Sequence, residues 1–144
     1  MTDKNVSIMN IGSMGYLPQV FKKIENEKKL NIVYLGGSIT MGCNATKTEL
    51  RYVDRSAKWW QTNFPDAEIS YFNAGIGATT SQFGVARVQE HVLDKQPDLV
   101  FVEFSVNDSS SPLFMETYES LVRRLLKAES VKAVVLINNL FYDT

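Results

Sequence analysis

The sequence predicts an α/β protein built on a doubly wound parallel sheet. Strand-like and helix-like stretches alternate along the 144 residues in the order strand, helix, strand, helix, strand, helix, strand. The stretch Asp98–Phe104 is apolar on both faces, as strands in a parallel sheet tend to be. Glycines also follow the first two strands, where a parallel sheet turns into its crossover helices.

Residues 1 to 15 carry a short alternation, Val6 to Ile11, followed by Gly12 and Gly15. It is expected to be an extended lead-in packed on an edge. Pro18 suits a first helical turn, and Val20, Phe21 and Ile24 give that helix one apolar face. The first strand, from Asn31 to Leu35, is rich in strand formers and ends at Gly36-Gly37. Glycine there is expected to supply backbone angles closed to other residues. Residues 41 to 51 read as a polar loop. From Tyr52 to Phe64, apolar residues recur at helical spacing, and Pro65 ends that helix. Trp59 and Trp60 are neighbours on it and point about 100° apart. At least one is therefore expected in the core rather than in a sugar-stacking pair.

Glu68 to Asn73 is the second strand, and Ala74 to Ser81 a glycine-rich turn. A helix over about Ser81 to Leu93 follows, with Ser81 as its cap and Phe83, Ala86, Val88 and Val92 as core positions. After the third strand, Pro112 opens a helix whose buried stripe is Tyr118, Leu121, Val122, Leu125 and Leu126. Lys132 to Asn138 is the fourth strand. No linker or repeat divides the chain, so a single domain is expected. Only six residues follow Asn138, leaving no helix to cover that strand. The expectation is a domain unfinished at its C-terminus, with exposed apolar surface beside the fourth strand. Such a chain is expected to dimerise or to associate with a C-terminal segment.

Composition narrows the functional classes. The formal net charge of −1 gives no electrostatic case for nucleic acid or an anionic membrane. No apolar run has the length of a membrane span, and Met1–Asn5 lacks a signal-peptide pattern, so a cytoplasmic location is expected. One cysteine, Cys43, makes no disulfide framework and is read as incidental. One histidine, one cysteine and no clustered carboxylates leave no metal site, and no cofactor is expected. The glycines are not a phosphate cradle, because no lysine follows Gly36-Gly37. Gly75-Ile76-Gly77 does not complete a dinucleotide fingerprint, because Thr80 stands where the third glycine belongs.

Three loops follow three parallel strands and so share one edge of the sheet, where open α/β sheets bind ligands. The first offers Ser38, which is assigned as a nucleophile. The backbone N–H of Ser38, an N–H of the Gly77-Ala78 turn and the side-chain amide of Asn107 could together receive an oxyanion. Gly37, Thr40 and Asp108 flank these groups and are assigned to substrate contact, Asp108 chiefly as a brace for its loop. Glu103 lies within an apolar strand, where an unpaired charge is costly, and Arg87 is its expected partner.

Gly36-Gly37-Ser38-Ile39-Thr40 resembles the first sequence block of the SGNH or GDSL-type hydrolases. Asn73 to Ser81 resembles their second block, and Val106-Asn107-Asp108 their third. The resemblance covers about residues 30 to 110. It implies a three-layer α/β/α fold of flavodoxin-like order, with a nucleophilic serine and a Ser, Gly and Asn oxyanion hole. It also implies hydrolysis of small acyl esters, often of acetylated carbohydrates. An acyltransferase using the same serine, or an inactive binding domain, are the alternatives. This chain departs from the family pattern at Ser105, where a glycine is usual, and at Ala78, where an ungapped match puts the donor glycine. The family's paired catalytic Asp and His are expected beyond Thr144. His91 falls late in a helix that runs away from the site edge, and Asp143 is read as a solvated terminal residue.

Overall fold

The computed structural model describes residues 10–139. Its elements are α1 (Leu17–Glu27), β1 (Lys29–Gly36), a single turn α2 (Ser38–Met41), α3 (Tyr52–Asn63), β2 (Glu68–Gly75), α4 (Ser81–His91), β3 (Leu99–Glu103), α5 (Pro112–Leu126) and β4 (Ala133–Leu136). Short 3-10 turns precede α3 and follow α4. The four strands are parallel in the order β2-β1-β3-β4, so the chain crosses over after β2 and continues on the other side of β1. That reversal beside β1 makes the topological switch point at which ligands bind in doubly wound sheets.

Alternate residues of the central strands enter two cores. Val33 and Leu35 of β1, with Val100 and Val102 of β3, pack against Val88 of α4 and Leu121 and Leu125 of α5. Leu30, Ile32 and Tyr34 face the other way, onto Val20 and Ile24 of α1 and Val53 and Trp60 of α3. A sheet covered on both faces explains the near-continuous apolar strands. Each of these fully buried branched side chains contributes about 1.5–3 kcal/mol. Pro18 lies in the first turn of α1, and Lys28 ends that helix in the left-handed region at φ 52°.

Several sequence expectations need correction. The Asn10–Tyr16 segment forms no strand, and Ile11 is exposed; the earlier part of the expected alternation lies outside the described residues. Phe83 and Ala86 are exposed on α4, whose buried residues are Ser81, Gly84, Arg87 and Val88. A β-carbon at Gly84 would stand 2.9 Å from the Phe104 ring, so close helix–sheet approach selects that face of α4. Ser81 does not cap α4. Thr80 holds the cap position, and the Ser81 N–H donates to Asp108 Oδ1 (2.9 Å). On α5, Leu126 is exposed. Trp60 is buried, whereas Trp59 is half exposed and meets it edge-on at 5.0 Å. β4 is an edge strand, and its last residue, Leu136, is 46% exposed.

Candidate active site

The site is assembled at the carboxyl ends of β1, β2 and β3. Gly36 and Glu103 are register partners there, as are Gly36 and Gly75. A β-carbon at Gly36 would collide with the Thr40 hydroxyl and with the Glu103 carbonyl, and one at Gly75 would collide with the Met41 backbone. The first turn of α2 is thus pressed directly onto the strand ends. Space, and not a left-handed backbone, requires glycine at Gly36, because its φ lies outside that region.

Ser38 opens α2 and is half-buried. Its carbonyl accepts from Gly42 and Cys43 (3.0 and 2.9 Å), which fixes the turn behind it. Neither its hydroxyl nor its N–H hydrogen-bonds to another described residue. Asn107 comes from the loop after β3. Its Nδ2 donates to the Thr79 carbonyl (2.7 Å) and lies 3.0 Å from where a Gly37 β-carbon would be. A carboxamide nitrogen has two hydrogens, so one N–H of Asn107 is free beside Gly37 among the described residues. The structure therefore brings Ser38, Gly37, Asn107 and the 76–80 turn together. A serine hydroxyl close to N–H donors that no described residue uses is an arrangement able to support acyl transfer.

Gly77 and Ala78 occupy the turn that faces α2. Gly77 sits against the Met41 side chain, which a β-carbon there would meet at 3.3 Å. Ala78 is exposed and adopts φ 57°, a left-handed conformation that favours glycine. The glycine that the turn calls for is therefore at position 78, and the chain places alanine there under strain. Ala78→Gly is expected to raise stability by about 1 kcal/mol, the reverse of the usual sign for Ala→Gly. Denaturant unfolding checks this; a fall in the midpoint would contradict it.

Thr40, assigned to substrate contact, is fully buried beneath the site and cannot line it. Its hydroxyl meets the Tyr52 hydroxyl (2.9 Å) and donates to Glu103 Oε2 (3.5 Å). Gly37 is also buried, with its N–H on the Glu103 carbonyl (3.2 Å). Asp108 braces the third loop against α4 through Ser81, while its Oδ2 is buried without a partner among the described residues. Asn73 is a site residue that charge and motif reasoning left without a role. Its Nδ2 donates to the Thr40 carbonyl (2.8 Å) and its Oδ1 accepts from the Gly75 N–H (2.9 Å), tying α2 to β2. The signal was an asparagine two residues before the glycine that ends the strand.

Arg87 does not pair with Glu103. Its guanidinium donates to the carbonyls of Ala74 (2.6 Å) and Gly36 (3.0 Å), clamping β2 to β1 behind the site. Burial pushes its pKa down. His91 Nδ1 lies 3.4 Å from the same guanidinium, one helical turn beyond Arg87 at the end of α4. That position serves Arg87 and not Ser38. Asp143 lies outside the described residues.

Glu103 is 1% exposed and is hydrogen-bonded without a cationic partner among the described residues. Burial pushes its carboxyl pKa up, against the opposing donors of Val106, Ser105, Asn139 and Thr40. A raised pKa means the folded state holds its proton more tightly than the unfolded chain. The associated stability is complete below the unfolded carboxylate value of about 4.3 and is lost as pH rises towards the folded value. Glu103→Gln is expected to flatten that descent in a pH series of unfolding midpoints. An unchanged slope would contradict it.

Among the described residues, no cluster of His, Cys, Asp or Glu could hold a metal ion, and no helix is long and apolar enough to cross a membrane. The sequence profile described as the GDSL-like Lipase/Acylhydrolase family matches residues 34–143. Among solved structures, a two-domain esterase (CEX) active on acetylated mannans superposes with a TM-score of 0.89 at 48% identity, over 93% of this chain and 36% of that one. The same esterase co-crystallised with mannopentaose gives 0.80 at 50% identity, over 85% and 34% of the two chains. A catalytic mutant of Axe2, an acetylxylan esterase from Geobacillus stearothermophilus, shares the fold with a TM-score of 0.63 at 22% identity, over 74% and 58%. The chain thus spans about a third of the length of the mannan esterase. A comparison with curated protein sequences gave no match.

Proposed function

The chain belongs to the GDSL-like lipase/acylhydrolase family, and we propose that it carries the nucleophile and oxyanion hole of a serine esterase acting on acetylated carbohydrate. The observation that carries this reading is the meeting of three groups at the switch point: the Ser38 hydroxyl and one N–H of Asn107, both without a partner among the described residues, and the strained turn at Ala78. Ser38 Oγ attacks the ester carbonyl and gives up its proton to a base. The Ser38 N–H, the Ala78 N–H and Asn107 Nδ2 receive the negative charge on the carbonyl oxygen. The base passes that proton to the sugar oxygen, which leaves as a hydroxyl as the acyl-enzyme forms on Ser38; the base then takes a proton from water, whose attack frees the acid, and returns it to Ser38 Oγ. The base is proposed to be a histidine that these 144 residues do not supply, because their one histidine, His91, is engaged with Arg87.

Acetyl as the acyl group and a hexose polymer as the substrate are inferred from the mannan esterase, which is 48% identical over nearly the whole chain. The test is acetate release by the full-length protein from acetylated manno-oligosaccharides, beside acetylated xylo-oligosaccharides and p-nitrophenyl butyrate. Preferential deacetylation of the manno-oligosaccharides is expected. Hydrolysis of butyrate alone would overturn the carbohydrate reading, and no hydrolysis of any ester would overturn the esterase reading.

A further inference from the structure

Glu103 is a buried carboxylate that the reaction sequence does not use, yet it touches the segments that carry Ser38 and Asn107. Its backbone carbonyl accepts from Gly37 (3.2 Å), beside the nucleophile. Its side chain accepts from Thr40 Oγ1 (3.5 Å), on the helical turn opened by Ser38. Ser105 Oγ, two residues before Asn107, donates to it (3.4 Å). Asn139, after β4, donates to it from Nδ2 (2.7 Å) and sends its own N–H to Ser105 Oγ (2.9 Å).

We infer that Glu103 is the positioning residue of the oxyanion hole, with its side chain setting the distance between the Ser38 turn and the Asn107 loop. The inference rests on the esterase reading above. A buried carboxylate without a cation is costly, so hydrophobic packing alone gives no reason for it here. Three donors converge on it from three separate segments, and each constrains a segment by a directional bond. Ser105 also gains a role. Its hydroxyl relays between Glu103 and Asn139, so a serine at this position joins the segment after β4 to the Asn107 loop. Holding catalytic donors through such supporting bonds keeps them at productive distance, and small misplacements cost large factors in rate.

The test compares Glu103→Gln, Thr40→Val and Thr40→Ser with the parent full-length protein, using p-nitrophenyl acetate. Turnover is expressed per reactive Ser38, counted by a stoichiometric organophosphate. Glu103→Gln keeps the volume but replaces one acceptor oxygen by a donor. It is expected to lower kcat per serine by about tenfold to a hundredfold with KM little changed. Thr40→Val is expected to act in the same direction, and Thr40→Ser, which keeps the hydroxyl, to restore turnover. A merely structural residue would reduce the number of reactive serines and leave kcat per serine alone, which would overturn the inference. If Glu103→Gln does not fold, the Thr40 pair decides, and equal turnover of the two overturns it. Hydrogen exchange gives a readout separate from the reaction. Faster exchange at Gly37 and over residues 104–108 in Glu103→Gln is expected, and unchanged exchange there contradicts the inference. A parent protein without esterase activity that still shows this exchange difference would sink the esterase reading while leaving the positioning role in place.

Discussion

Ser38→Ala is expected to lower ester turnover by about 10⁴–10⁶-fold, the range seen when the nucleophile of a cooperating catalytic set is removed. The fold should survive the change. The Ser38 hydroxyl holds no other described residue in place, and the turn behind it is fixed by backbone bonds from Gly42 and Cys43. Unfolding midpoints of the variant and the parent should therefore agree within the small range of a neutral surface change. Substrate affinity should also survive, because Asn107 and the 76–80 turn are untouched. Steady-state kinetics with circular dichroism checks both halves. A variant that keeps more than about one tenth of parental turnover would remove Ser38 from the mechanism.

The second large effect belongs to Asn107. Asn107→Ala deletes one donor to the developing oxyanion and is expected to lower kcat by about 10²–10³-fold. It also deletes the bond to the Thr79 carbonyl (2.7 Å), which links the second and third loops. Loss of that bond is expected to cost about 1 kcal/mol in stability. Asn107→Asp separates the two contributions. An aspartate fills the same space beside Gly37 but offers an acceptor where an N–H is needed, and its charge repels an oxyanion. If Asn107→Asp turned over substrate as fast as the parent, the amide would have no part in charge stabilisation.

The layout of the sheet was legible because a parallel strand buried on both faces has a distinctive composition. Leu30 to Leu35 and Leu99 to Val102 could face nothing but two helical layers. The three loops were legible for the same topological reason, since parallel strands all end at one edge. What the sequence concealed was the direction of buried polar groups. Arg87 and Glu103 looked like partners on charge alone, yet carbonyl groups at the ends of β1 and β2 satisfy the guanidinium. Backbone carbonyls leave no trace in a sequence. Thr40 looked available to substrate because it stands two residues from Ser38. The close approach of α2 to Gly36 and Gly75 turns its side chain down onto Glu103 instead. On α4, hydropathy favoured Phe83 and Ala86, whereas the absence of a side chain at Gly84 decides which face meets Phe104. At Ala78 the left-handed backbone is set by the turn and not by the residue that occupies it.

Covalent capture of Ser38 tests the central claim most directly. The full-length protein would be treated with a p-nitrophenyl phosphonate ester, which transfers phosphorus to an activated serine hydroxyl and releases p-nitrophenolate. Intact-mass measurement and peptide mapping then locate the adduct. One phosphonyl group per chain on the peptide containing Ser38, absent from Ser38→Ala and slowed in Asn107→Ala, is the predicted result. An unmodified protein, or an adduct elsewhere with Ser38 untouched, would contradict the account.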